Sequence, residues 1–174
     1  YVISGTKISS AGDTDMTMLK VNSNDGSKVW QQDFGGGDDW GGNIQETNDG
    51  GYILSGTKTS NDGDKDSLIM KLDSNGHLQW QDELKDNSLD EEDINIKQTD
   101  DNGYILSATK ETADGDTDIW TRKLDASGNQ VWDNIYGTNR DEISQKVEQT
   151  ADGGYVISGG QINSSNNEDA YLLK

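Results

Sequence analysis

The stretch that decides the fold runs from Gly51 to Trp80, GYILSGTKTSNDGDKDSLIMKLDSNGHLQW, and recurs from Gly103 to Trp132 as GYILSATKETADGDTDIWTRKLDASGNQVW. Self-similarity at a fixed period marks a repeat architecture. Tyr1, Tyr52, Tyr104 and Tyr155 open the copies at spacings of 51, 52 and 51 residues. Asp15, Asp66, Asp118 and Asp169 each follow their tyrosine by 14 residues, and Lys20, Lys71, Lys123 and Lys174 by 19. Trp30, Trp80 and Trp132 follow at 29, 28 and 28. These frames divide one repeat domain into copies at 1–51, 52–103 and 104–154 and a partial copy at 155–174.

Each period reads as four short β-strands. In the second copy Gly51 to Lys58 holds the compact apolar run Tyr52-Ile53-Leu54, which suits a strand covered on both faces. Ser67 to Leu72 puts Leu68, Met70 and Leu72 on one face and Ile69 on the other. Asp73-Ser74-Asn75-Gly76 is a hairpin signal, because Asn-Gly readily takes the positive φ of primed turns. His77 to Trp80 then points Leu78 and Trp80 inward, and Glu92 to Gln98 forms the strand before the next tyrosine. The turns Thr47 to Gly51, Thr99 to Gly103 and Thr150 to Gly154 lead into the tyrosine strands. Gly and Asn interrupt every longer window, so helices have no place.

Composition narrows the class. Of 174 residues 29% are apolar and 27% charged, with a net charge of -19. Those proportions alone fit disorder, but the apolar residues are gathered into short runs punctuated by Gly, Asn, Asp and Ser, as in a protein of many strands and polar turns. The negative charge discourages contact with nucleic acid or an anionic membrane. The absence of Cys excludes disulfides and zinc–thiolate sites and is compatible with an extracellular protein. No apolar run approaches the ~18 residues of a membrane span.

Four antiparallel strands per period, with a recurring tryptophan, point to an all-β fold of β-propeller blades. The runs KLDSNGHLQW and KLDASGNQVW resemble the Asp-x-x-Gly-x-x-x-Trp pattern of quinoprotein-type blades. With DGGY and an aliphatic strand, the chain resembles the tandem blades of secreted and cell-surface bacterial and archaeal proteins. That resemblance implies an innermost strand before each tyrosine strand and an outermost tryptophan strand. It implies whole blades from about Asp39 to Gln81 and from Glu92 to Asp133 and a partial blade at each end, about 3.4 repeats in all. Such a segment is not a closed ring by itself, and its open edges are covered by the remainder of a longer chain or by another copy. Trp30, Trp80 and Trp132 then pack between adjacent blades, whereas Trp40 and Trp120, outside the pattern, serve local packing.

Catalytic constellations are scarce. His77, the single histidine, falls in a turn, and no phosphate-binding loop precedes a helix. Arg122 and Arg140 are the only arginines, too few for the arginine triad of sialidases, whose Asp-box the Asp73-x-x-Gly76-x-x-x-Trp80 run matches only with altered spacing. No carboxylate is placed in an apolar pocket as a general acid requires. The motif with inorganic chemistry is Asp62-Gly63-Asp64-Lys65-Asp66, echoed by Asp114-Gly115-Asp116-Thr117-Asp118. Alternate aspartates in a tight loop bring together oxygens of the kind Ca²⁺ requires, so Asp62, Asp64, Asp66, Asp114, Asp116 and Asp118 are the candidate metal ligands. The competing reading has these aspartates brace their own turns through backbone N–H groups. The expectation is a non-enzymatic extracellular or cell-surface scaffold binding a protein or glycan. The alternative is an accessory propeller of a larger secreted enzyme whose catalytic module lies elsewhere.

Overall fold

The computed structural model describes residues 1–59, 63, 65–84, 91–165 and 167–174, with backbone alone at 91–93. All secondary structure among these residues is strand. The first compact unit, Tyr1–Leu84, contains β1 (Val2–Ile8), β2 (Thr14–Val21), β3 (Lys28–Phe34), β4 (Asp39–Glu46), β5 (Tyr52–Thr59), β6 (Lys65–Leu72) and β7 (Leu78–Leu84). The second, Lys85–Lys174, contains β8 (Glu91–Gln98), β9 (Tyr104–Glu111), β10 (Thr117–Leu124), β11 (Gln130–Tyr136), β12 (Glu142–Gln149), β13 (Tyr155–Ile162) and β14 (Glu168–Leu173). Every sheet is an open antiparallel meander. The first unit holds β1-β2-β3 and β4-β5-β6-β7, and the second holds β8-β9-β10-β11 and β12-β13-β14. The tyrosine strand is thus second in both four-stranded sheets and the tryptophan strand last.

Alternation builds a core within each unit. In the first, Met16 and Met18 of β2 meet Tyr52 and Leu54 of β5 and Leu68, Met70 and Leu72 of β6. Ile69, on the opposite face of β6, is also fully buried, so this strand is covered on both sides. In the second unit Ile105, Ile119, Val147 and Ile157 form the centre. The first strand of each following sheet crosses its predecessor: β4 packs on β1 and β2, and β12 packs on β8, β9 and β10. The tryptophans seal these contacts. Trp30 meets Tyr52 edge-on with ring centroids 5.8 Å apart, and Trp132 meets Tyr155 at 6.0 Å. Trp120 is buried, with Lys110 and Arg122 over its ring at 4.8 and 4.5 Å, whereas Trp40 stays 41% exposed.

The hairpins depart from the sequence reading in two ways. The turn after β6 is not of the primed kind, since Gly76 has φ 84° and Asn75 keeps a negative φ. The backbone N–H of Gly76 donates to the Asp73 carbonyl at 3.1 Å, and that of Asp73 to the His77 carbonyl at 2.9 Å. This is a type I turn closed by a left-handed glycine, the usual solution for a three-residue loop. The Asp73 carboxylate accepts the N–H groups of Asn75 and His77 at 2.8 and 2.9 Å and fixes the chain in it. Leu78, expected inward, is 46% exposed. Gln79 is an extra, bulged residue, so Trp80 lies opposite Lys71 and Leu78 opposite Leu72. Lys71 and Leu72 are neighbours on one strand and point to opposite faces, which separates Leu78 from Trp80. The same bulge recurs at Val29 and Val131.

A β-carbon on Gly76 would meet the Trp30 ring at 3.1 Å as well as adopt positive φ. Gly76→Ala is therefore expected to cost about 1–2 kcal/mol, the penalty of a left-handed L-residue, measured by urea unfolding. Gly63→Ala, at φ 95° with open space around its β-carbon, isolates the backbone part of that cost.

Candidate functional site

The polar groups that recur with the repeat gather at two places: the turn entering the tyrosine strand and, within each unit, the boundary between its two sheets. At the first, the Lys71 ammonium is 3% exposed and reaches both Asp49 oxygens at 3.1 and 2.9 Å, the Leu72 carbonyl at 2.9 Å and Gln79 Oε1 at 3.1 Å. Lys123 repeats this with Asp101 and the Leu124 carbonyl, and Lys174 pairs with Asp152 at 2.7 Å. A hydrogen bond from Thr47, joined by Lys71 and the Gly51 N–H, holds the Asp49 carboxyl down at about 2. Thr99, then Lys123, do the same for Asp101, also at about 2.

At the second place, acidic pairs open the first strand of a sheet. In the first unit Asp38 accepts the N–H and hydroxyl of Thr14, both at 3.1 Å. Asp39 is buried, and its Oδ1 has no hydrogen-bond partner. Burial pushes the Asp39 carboxyl up, with Lys58 and the Thr59 N–H opposing and Asp15 and Glu83 adding to the rise. Lys58 lies across from Asp39 on one side and Asp66 on the other, and pairs with Glu83 at 2.6 Å.

In the second unit Asp141 accepts the Thr117 N–H at 3.0 Å. Glu142 is fully buried; it accepts the Thr138 hydroxyl at 2.7 Å, the Thr138 N–H at 3.0 Å and the Gln161 amide. Burial works against its charge, but Gln161 and Thr138 hold the Glu142 carboxyl below its ordinary range. Asp118 of β10 is hydrogen-bonded to the Glu142 carboxyl, and burial, Asp116 and Glu142 together push Asp118 up. Gly35 and Gly137 make room for these groups, since a β-carbon at either would overlap the carboxylate of Asp15 or Asp118. The two carboxyls titrate against one another, Asp118 shifted up and Glu142 down.

Of the six aspartates singled out as calcium ligands, Asp66, Asp114, Asp116 and Asp118 lie among the described residues. Asp62 and Asp64 lie outside the described residues. Asp66 is buried on β6 opposite Lys58. Asp116 accepts the Thr112 hydroxyl, the Asp114 N–H donates to that hydroxyl oxygen at 3.3 Å, and Asp118 turns to Glu142. Among the described residues no group of three or more His, Cys, Asp or Glu is arranged to hold a metal ion. His77 sits in its turn with Nδ1 3.2 Å from Asp73. The sequence reading missed the acidic pairs and the lysine ties. A signal for the pairs was present: Asp38-Asp39, Asp90-Glu91 and Asp141-Glu142 all end 13 residues before a repeat tyrosine.

No family model matches the chain, and no curated protein matches it significantly.

The pair in the second unit makes a pH prediction with a definite sign. Asp118 titrates above its ordinary 3.8 in the folded protein. Below that value both states are protonated and nothing is lost; as pH rises through the raised value, the unfolded chain ionises more readily and stability falls. Asp118→Asn is expected to melt higher than the parent at about pH 7 and to show no gain at about pH 3. A gain of equal size at both would assign the effect to something other than the proton. For the second calcium loop, millimolar Ca²⁺ against chelator at matched ionic strength is expected to leave the melting temperature unchanged in the parent and in Asp116→Ala. A rise in the parent that Asp116→Ala loses identifies the loop as a metal site.

Proposed function

We propose that the chain is a non-enzymatic binding scaffold made of β-propeller-type blades, belonging to an extracellular or cell-surface protein and presenting loops to a protein or glycan. The observation that carries this reading is the repeated seating of a last-strand tryptophan on the next sheet's tyrosine, Trp30 on Tyr52 and Trp132 on Tyr155. Blades stack through contacts of this kind, and a stack of blades leaves its loops as the variable, presentable surface. The disposition of the carboxyls supports the non-enzymatic part. Those that recur are engaged in turns, lysine ties and the boundaries between sheets. The cavity beside Trp132 includes neither Asp118 nor Glu142 in its lining.

The test pairs immobilised glycans and extracellular-matrix proteins with panels of glycosidase, esterase and redox substrates. Saturable retention without turnover is expected. Turnover that Glu142→Gln or Asp118→Asn abolishes would replace the scaffold reading with a catalytic one.

A further inference from the structure

An asparagine takes the place of a hydroxyl residue in one copy of a recurring turn. The residue eight places after the repeat tyrosine is Ser9 in the first copy, Thr112 in the third and Asn163 in the fourth. The N–H of each donates to a carbonyl four residues on, that of Asp13, Asp116 or Asn167, at 2.8 Å in all three. The side-chain oxygen then caps the turn. Ser9 Oγ accepts the Ala11 N–H at 3.0 Å, and Thr112 Oγ1 that of Asp114 at 3.3 Å. Asn163 Oδ1 accepts those of Ser165 and Asn167 at 2.9 and 3.1 Å. A carboxamide brings a nitrogen as well: Nδ2 carries two hydrogens, and it donates to Asp169 at 3.0 Å. The same copy has a serine two residues on, so Asn163-Ser164-Ser165 is the one Asn-x-Ser/Thr run in the sequence. Exposure of the tip belongs to this turn wherever it occurs. Ser10, Ala11 and Gly12 are exposed in the first unit, where a four-stranded sheet follows, as are Ala113, Asp114 and Gly115 in the second. Ser164 and Ser165 match them, and Asn163 is half-buried like Ser9 and Thr112.

We propose that Asn163 is an acceptor site for an N-linked glycan. The inference rests on the extracellular reading above, because Asn-x-Ser/Thr runs are glycosylated on surface loops of secreted proteins. The donor class is a polyprenyl-diphosphate-linked oligosaccharide. Nδ2 forms a bond to the anomeric carbon of the first sugar. The bond from that carbon to the diphosphate oxygen breaks, the oxygen keeping the electron pair, and one Nδ2 proton passes to the transferase. The product is still an amide, so Oδ1 retains its two backbone N–H groups and one Nδ2–H remains to donate to Asp169. The turn thus keeps its cap with the glycan attached. Ser9 and Thr112 cap the same turn without a nitrogen, so the glycan marks the fourth copy alone.

The probe is a purified oligosaccharyltransferase with synthetic polyprenyl-diphosphate-linked chitobiose, incubated with the folded full chain. Intact mass and peptide mapping read the product. Expected is a gain of one glycan, located at Asn163. Ser165→Ala removes the hydroxyl that the transferase reads but leaves the Ser165 N–H to the Asn163 cap, so it should lose transfer at an unchanged melting temperature. Ser165→Thr should restore transfer; should the alanine variant not fold, the mapped position of the glycan decides. No transfer to the folded chain, or transfer that Ser165→Ala leaves unchanged, overturns the proposal. Transfer to the urea-unfolded chain alone also overturns it, because the folded turn is then closed to the enzyme. The reaction in solution does not depend on where the chain resides, so its failure counts against Asn163 and not against the extracellular reading. That reading is tested separately, by labelling whole cells with a membrane-impermeant amine reagent.

Discussion

A buried ammonium pins the second and third periods, at Lys71 and Lys123. Lys71 lies almost fully out of water, and a charge so placed is tolerated only when it is paired and its donors are satisfied. Its partners come from three places at once: Asp49 in the turn before β5, the Leu72 carbonyl where β6 ends, and Gln79 at the bulge of β7. Hydrogen bonds to a charged group contribute about 1.5–3 kcal/mol each. The lysine therefore stitches the start of one strand to the end of the next and to the strand beyond. Slipping β6 by one residue would swing the ammonium to the other face. The constant distance from tyrosine to lysine, and the tryptophan opposite that lysine at Lys20, Lys71 and Lys123, follow from this one constraint.

The acidity of the chain acquires a structural meaning from the turns. Asp is favoured over Glu where a short side chain must reach an N–H two residues on, as Asp73 and Asp125 do for Asn75 and Ser127. Carboxylates used in this way are stabilised as anions. For Asp49 and Asp101, held near 2, the associated stability is present above the ordinary carboxylate range and is lost as pH falls toward that value. Asp39 and Asp118 have the opposite sign, their raised values removing stability as pH rises. Acidification therefore weakens the turns while relieving the sheet boundaries. A net charge of -19 thus combines two populations of carboxyl with different functions, and neither requires a ligand.

Much of the fold was legible because its signals are periodic and local. The tyrosine strand, the alternation of Leu68, Met70 and Leu72 around Ile69, and the absence of helix needed only spacing and burial. The turn type escaped because Asn-Gly is compatible with two solutions, and the bulge at Gln79, which no local propensity encodes, selected the one with a single left-handed residue. The same bulge reversed the expected face of Leu78. The site was less legible. Aspartates alternating in a loop look alike whether they converge on a cation or diverge to separate partners. Asp116 stays in the turn and accepts the Thr112 hydroxyl, whereas Asp118 lies on β10 and faces Glu142. Apart from its place 13 residues before Tyr155, Glu142 carried no warning of its burial, since its partners Thr138 and Gln161 are polar.

The two sheet boundaries differ in the group that faces the buried carboxyl. Asp39 and Glu142 occupy the same position, 13 residues before a tyrosine. Across from Asp39 stands Lys58, and across from Glu142 stands Gln161 at the equivalent place. A lysine brings a positive charge to a buried carboxylate and offsets part of the desolvation that raises Asp39. A glutamine brings an N–H donor and no charge. Gln161 and Thr138 therefore stabilise Glu142 as an anion through hydrogen bonds, leaving its net charge in place against Asp118. Two adjacent carboxylates in that setting cannot both ionise without repulsion. Burial, Asp116 and Glu142 push the Asp118 carboxyl up, and Asp118 Oδ1 is left buried without a partner. Exchange of a cation for an amide in an otherwise fixed frame thus leaves one boundary with a counter-ion across from its carboxyl and the other with two carboxyls acting on each other.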